Sequence, residues 1–201
     1  MVVKKTPSES NSSDTLAYIS IILIALCGLY FFFNLTGHAV DTDTAVVNVT
    51  VTSQTAINFT SDFVNFGSGA VTAGTASATL DTDGTSTGGS WVPVTDNFTL
   101  ENIGNTNVQL NLSVGKTPAQ FIGGTTPSYQ FKFDNNEADS CTNVADTSTW
   151  IDTSTAGSNL CSLFSFNDAN DTVTIGVKLV IPSDSLAGGL TDTWTATATS
   201  L

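Results

Sequence analysis

Residues 98–114 read FTLENIGNTNVQLNLSV. Phe98 and Leu100 alternate with Thr99 and Glu101. Val108, Leu110, Leu112 and Val114 alternate with Gln109, Asn111 and Ser113. In a strand, successive side chains point to opposite faces, so a period of two gives each segment one apolar and one polar face. Gly104 and Asn105 lie between the two runs and supply turn chemistry. The stretch therefore reads as a β-hairpin, with strands over 98–102 and 108–114.

The same period extends outward in both directions. Towards the N-terminus, Val47, Val49 and Val51 alternate with Asn48, Thr50 and Thr52, and Ile57 and Phe59 flank Asn58. Towards the C-terminus, Tyr129, Phe131 and Phe133 form one run. Val173, Ile175, Val177, Leu179 and Ile181 form a long one, and Trp194, Ala196 and Ala198 alternate with threonines to the end. Residues 82–90 form a Gly/Ser/Thr loop, Pro182 closes the long run, and Ala187-Gly188-Gly189 turns the chain into the last one. No helical period follows residue 35. Short alternating strands on one core predict an all-β fold over 44–201, an antiparallel immunoglobulin-like or jelly-roll sandwich.

Residues 16–33 read LAYISIILIALCGLYFFF and carry no charge. At 1.5 Å per residue such a helix spans roughly 27 Å, close to the thickness of a bilayer core. The expected organisation is a polar leader (1–15), a transmembrane helix (16–35), a stalk (36–43) and the β-domain. Lys4 and Lys5 precede the run, and the next basic residue is Lys116. This asymmetry places the N-terminus in the cytoplasm and the β-domain outside the cell. Gly37-His38-Ala39 offers the small residues of a signal-peptidase site, but the long leader and long apolar run favour an uncleaved anchor. Cys27 follows Leu26 in mid-run and reads as an ordinary membrane-buried cysteine.

The charge excludes several partners. Five basic residues, none of them arginine, face eighteen acidic ones, for a net charge of −13. Such a surface repels phosphate backbones, so nucleic acid is not an expected partner. Solubility is the plain reading of the acidity. Catalytic groups are sparse. His38 is the sole histidine and lies in the stalk, out of reach of a nucleophilic triad within the domain. No cofactor is expected. Cys141 and Cys161 are the only cysteines beyond the apolar run and should pair in an oxidising compartment.

Three Asx-rich turns contain carboxylates that could bind calcium: Asp81-Thr82-Asp83-Gly84; Asp134 with Glu137 and Asp139; and Asp168 with Asn170 and Asp171. Such turns also form by local hydrogen bonding without metal, which is the expectation here. Glycosylation sequons fall at Asn34, Asn48, Asn58, Asn97, Asn111 and Asn170 in the external part. Asn48, Asn58, Asn97 and Asn111 all occupy the polar phase of their runs, as an acceptor must. Trp91, Trp150 and Tyr129 are the aromatics a carbohydrate-binding module would use, core packing being the competing role.

The segment from Phe98 to Asn105 followed by 108–112 resembles the N-x-G-N hairpin of many archaeal and bacterial surface β-sandwiches. The ending, Ile181-Pro182, Ala187-Gly188 and the threonine-rich 193–199, is similar to the last hairpin of TasA/camelysin-like secreted matrix proteins. That resemblance implies a secreted sandwich and, in some members, polymers formed by giving an N-terminal strand to a neighbour. Together these readings predict a non-catalytic, membrane-anchored cell-surface structural or interaction protein. Its partners would be the bilayer through 16–35, other surface proteins or copies of itself. The alternatives are a released filament subunit and a ligand- or carbohydrate-binding module.

Overall fold

The computed structural model describes residues 12–35, 43–142 and 149–201, with helix side chains at 16–31. In chain order the elements are α1 (Ser12–Leu35), β1 (Asn58–Ser61), β2 (Ser77–Asp81), β3 (Ser86–Thr87), β4 (Phe98–Glu101) and β5 (Val108–Val114). There follow α2 (Pro118–Phe121), β6 (Ser128–Asn135), β7 (Cys141–Thr142), β8 (Ile151–Asp152), β9 (Ser158–Phe164), β10 (Thr172–Pro182) and β11 (Trp194–Ser200). The chain forms two compact units, Met1–Thr50 and Val51–Leu201.

In the first unit, α1 carries the uncharged run 16–33. Leu16, Ile19, Ile22, Leu26 and Leu29 are each more than half exposed. Among the described residues, no helix is long and apolar enough to cross a membrane.

The second unit is two antiparallel sheets packed on one core. The larger is organised by β10, whose eleven residues are the longest apolar alternation in the chain. On one side β10 pairs with β4 over its first half and β2 over its second, and along its other side with β6. β1 adds outside β4, β3 outside β2 and β8 outside β6. The smaller sheet runs β11-β5-β9-β7. Leu80, Leu100, Phe131, Phe133, Val173 and Ile175 from the larger sheet meet Val108, Leu110, Leu112 and Phe164 from the smaller. Each is almost wholly excluded from water, and burying a side chain of this size stabilises by about 1.5–3 kcal/mol.

The expected hairpin over 98–114 does not form. Both strands exist, but β4 pairs in the larger sheet and β5 in the smaller. The turn is an arch that carries the chain across the core. Asn102, 1% exposed, closes it. Its Nδ2 donates to the carbonyls of Thr106 and Phe164, and its Oδ1 accepts from the Gly104 amide. Alternation and turn residues are the same for a hairpin and an arch; only the partners differ. The connection from β10 to β11 likewise changes sheets, where a hairpin was expected.

The expected strand over 44–52 is also absent. No residue from 43 to 57 belongs to a strand. Val46, Val47, Val49 and Val51 are 81, 92, 83 and 77% exposed. The β-branched alternation suits a strand, but no strand edge is paired with it.

Cys141 and Cys161 form a disulfide, with Cα atoms 5.6 Å apart. The loop it closes starts in the smaller sheet at β7, contributes β8 to the larger one, and returns at β9. In β9 both Leu160 and Cys161 are buried, and its register on β5 is irregular.

Candidate functional site

The core is closed on most sides and open on one. β1 and β11 are edge strands of opposite sheets. Phe98 stands between them, touching Phe59 of β1 at 5.9 Å between ring centroids and Trp194 of β11 at 5.5 Å. Along this flank the inward-facing residues are only half-buried: Ile57, Phe59, Val64, Phe66 and Trp91, and on β11 Trp194, Ala196 and Ala198. Val71, Phe121 and Ile151 are the other half-buried residues against the core.

A cavity of about 460 Å³ opens here between the sheets, with Phe66, Leu80, Trp91, Phe98, Tyr129 and Trp194 among its walls. Aromatic and aliphatic side chains share its walls with Asn65, Ser68 and Asp192. Trp91 is wedged between backbones at one end. A Cβ at Gly69 would overlap its indole, and one at Gly89 would lie 2.6 Å from it, so both positions require glycine. Asp192 also lines the cavity, and its Oδ2 is buried without a hydrogen-bond partner. Burial, and then the Asp192 carboxylate, push the Tyr129 phenol well above its ordinary range. Tyr129 is 2% exposed, so it is a core residue rather than an exposed binding aromatic.

The exposed valine segment is tethered where it meets this unit. The Gln54 amide donates to Asn105 Oδ1 at 2.6 Å, the Asn105 amide donates to the Gln54 carbonyl at 3.0 Å, and Asn105 Nδ2 donates to the Thr52 carbonyl at 3.0 Å. Gly104 permits the approach, since a Cβ there would lie 2.5 Å from the Gln54 carbonyl oxygen. The C-terminal end of β11 is close by, because the Leu201 amide donates to Asn107 in the same arch.

Carboxylates of the calcium candidates accept hydrogen bonds from both near and distant residues. Asp81 Oδ1 accepts from the amides of Asp83 and Thr85, and Asp83 pairs with Lys132 at 2.6 Å. Glu137 Oε2 accepts from the amides of Asp171 and Thr172. Asn170 Oδ1 accepts from Ser165, while Asp168 is exposed. Asp171 is 7% exposed, and burial raises its carboxyl above the usual range. Among the described residues no three acidic, cysteine or histidine side chains converge as a metal site.

The sequons divide by accessibility. Asn48 and Asn58 are exposed, and Asn111 is half-buried. Asn97 Oδ1 is buried without a partner. The side chain of Asn34 lies outside the described residues.

No protein-family model, no curated protein and no solved structure matches this chain. Sequence reasoning missed the open flank because it arises from which strands are neighbours. The half-apolar run Trp194, Ala196, Ala198 was its one local trace.

Proposed function

We propose that this is a non-catalytic structural protein of the cell surface, whose sandwich is completed by residues 43–53 of another copy. Two observations support the reading: residues 43–53 carry an exposed valine alternation that pairs with no strand, and the core of the β-unit is open beside an edge strand. β11 is seven residues long and presents small inward side chains, Ala196 and Ala198. An incoming strand beside it would hydrogen-bond to its free edge and set Val47, Val49 and Val51 over Phe98 and the cavity mouth. Each valine so buried contributes about 1.5–2 kcal/mol before the cost of ordering the segment. Display on a membrane is part of the same reading. It is supported by the uncharged run at 16–33 and by Lys4 and Lys5 before it.

The test removes residues 40–53 from the full-length protein in detergent. The variant is expected to stay folded, to lose self-association in sedimentation, and to bind a synthetic 43–53 peptide. Unfolding of the variant would make the segment an internal strand. An intact protein that is monomeric at all concentrations, together with a variant that ignores the peptide, would also overturn the proposal.

A further inference from the structure

The three tryptophans differ in their surroundings. Trp91 and Trp194 pack against the core. Trp150 does not; it lies over the outer face of the larger sheet. Lys132 and Lys178 point to that face, since they alternate with the buried Phe131, Phe133, Val177 and Leu179. The Lys132 ammonium lies 5.3 Å from the Trp150 ring centroid and the Lys178 ammonium 5.7 Å. Beyond the apolar run the chain has only Lys116, Lys132 and Lys178 as cations. Two of the three therefore gather at one indole.

The position of Trp150 is built. The disulfide closes the excursion that carries it. Immediately after it, Ile151 and Asp152 pair with Phe131 and Gln130, and the Asp152 carboxylate accepts from Gln130 Nε2 at 2.9 Å. Both the amide and the hydroxyl of Thr153 donate to the Tyr129 carbonyl, and the Val114 amide donates to Ser154. A long excursion, covalently closed and bonded to both sheets, thus delivers a tryptophan that contributes nothing to the core. Lys132 is neutralised by Asp83. Among the described residues Lys178 has no carboxylate within ion-pair distance.

We propose that Trp150 and Lys178 form a binding site for an anionic saccharide. The two ammoniums cover the sheet side of the indole; its other face offers an apolar platform for the C–H face of a pyranose, and the Lys178 charge behind the ring attracts the sugar's carboxylate or sulfate. Lys132, held by Asp83, keeps the platform in register. The rest of this acidic surface repels anions, which confines binding to this face. The site is independent of the flank between β1 and β11.

Full-length protein in detergent is titrated calorimetrically with three oligosaccharides of equal length: oligogalacturonate, a sulfated galactan and a neutral galactan. At least one acidic oligomer is expected to bind with a sub-millimolar Kd, more weakly as salt is raised. Trp150→Ala should weaken it ~10-fold, a change of about 1.4 kcal/mol. Lys178→Gln should weaken the acidic ligand and leave the neutral one unchanged. Melting temperatures establish that both variants are folded, and if Trp150→Ala is not, Lys178→Gln decides alone. Failure of both acidic oligomers to bind, binding indifferent to the substitutions, or equal affinity for the neutral oligomer would each overturn the assignment.

Discussion

Asn105 grips Gln54 through both of its main-chain groups: the asparagine side chain accepts from the Gln54 amide, and the asparagine amide donates to the Gln54 carbonyl. The asparagine thereby imitates one rung of a β-ladder at a point where no strand exists. It fixes the place at which the valine segment leaves the β-unit.

Replacing Asn105 by Ala removes two side-chain bonds, to Gln54 and Thr52. Because both are solvent-exposed, the expected cost is only about 1–2 kcal/mol. Urea denaturation should register that loss. Amide exchange at Gln54 should rise far more than exchange in β4 or β5, and uniform acceleration would contradict the local role given to this residue.

Asn102 is a different case. Changing it to Leu leaves the Gly104 amide and the Thr106 and Phe164 carbonyls without their partner in a buried corner, at about 2–4 kcal/mol. The chevron midpoint should fall accordingly. A cost under about 0.5 kcal/mol would mean that water replaces the side chain.

Most strands were legible from alternation. The runs at 98–100, 108–114, 129–133, 173–181 and 194–198 all became strands, because each buries one face on the core. What alternation could not specify was pairing. Phe98 and Val108 lie in opposite sheets although the turn between them has hairpin composition. β9 was missed for a local reason: Leu160 and Cys161 are both buried, so the irregular register breaks the period of two. The valines at 47–51 show the converse, a pattern fit for a strand with no edge assigned to it. The open flank depends on all of these pairings at once, and no single segment contains it.

Replacing Cys141 and Cys161 by serine should cost about 3 kcal/mol, the chain-entropy value for a loop of roughly this length. The Thr153 and Ser154 bonds remain, so β8 should stay paired with β6 in the reduced fold. Loss of exchange protection at Asp152 under native conditions would show that the disulfide alone holds the excursion in place.

In a host that modifies sequons, glycan mapping by mass spectrometry should find Asn48 and Asn58 occupied and Asn97 bare. The first two are exposed, whereas the Asn97 carboxamide oxygen is sealed beside Gly176. Efficient occupancy of Asn97 would require the end of β4 to open.

Asp171 and Asp184 should pull the pH profile in opposite directions. The folded state raises the Asp171 carboxyl, chiefly by burial, so it binds the proton more tightly than the unfolded chain does. Stability from this group is present at low pH and falls as pH rises from the unfolded value towards the folded one. Asp171→Asn should therefore raise the melting temperature at pH 7 and have little effect near pH 3. Asp184 is lowered by hydrogen bonds from the Thr125 amide and hydroxyl, so its contribution is present above the ordinary carboxylate range and is lost on acidification. Asp184→Asn should lower the melting temperature at pH 7 and converge with the parent in acid. Parallel profiles for either variant would refute the assigned sign.

The central place of β10 also sets a timetable. β4, β2 and β6 all find their main partner in a strand that ends at Pro182. A ribosome making this chain, or a translocon passing it, must release nearly the whole of it before the larger sheet can close. Until then the apolar faces of 77–81, 98–101 and 128–135 have no lasting shelter. The late arrival of its organising strand makes the closing of the larger sheet the last step of assembly rather than the first.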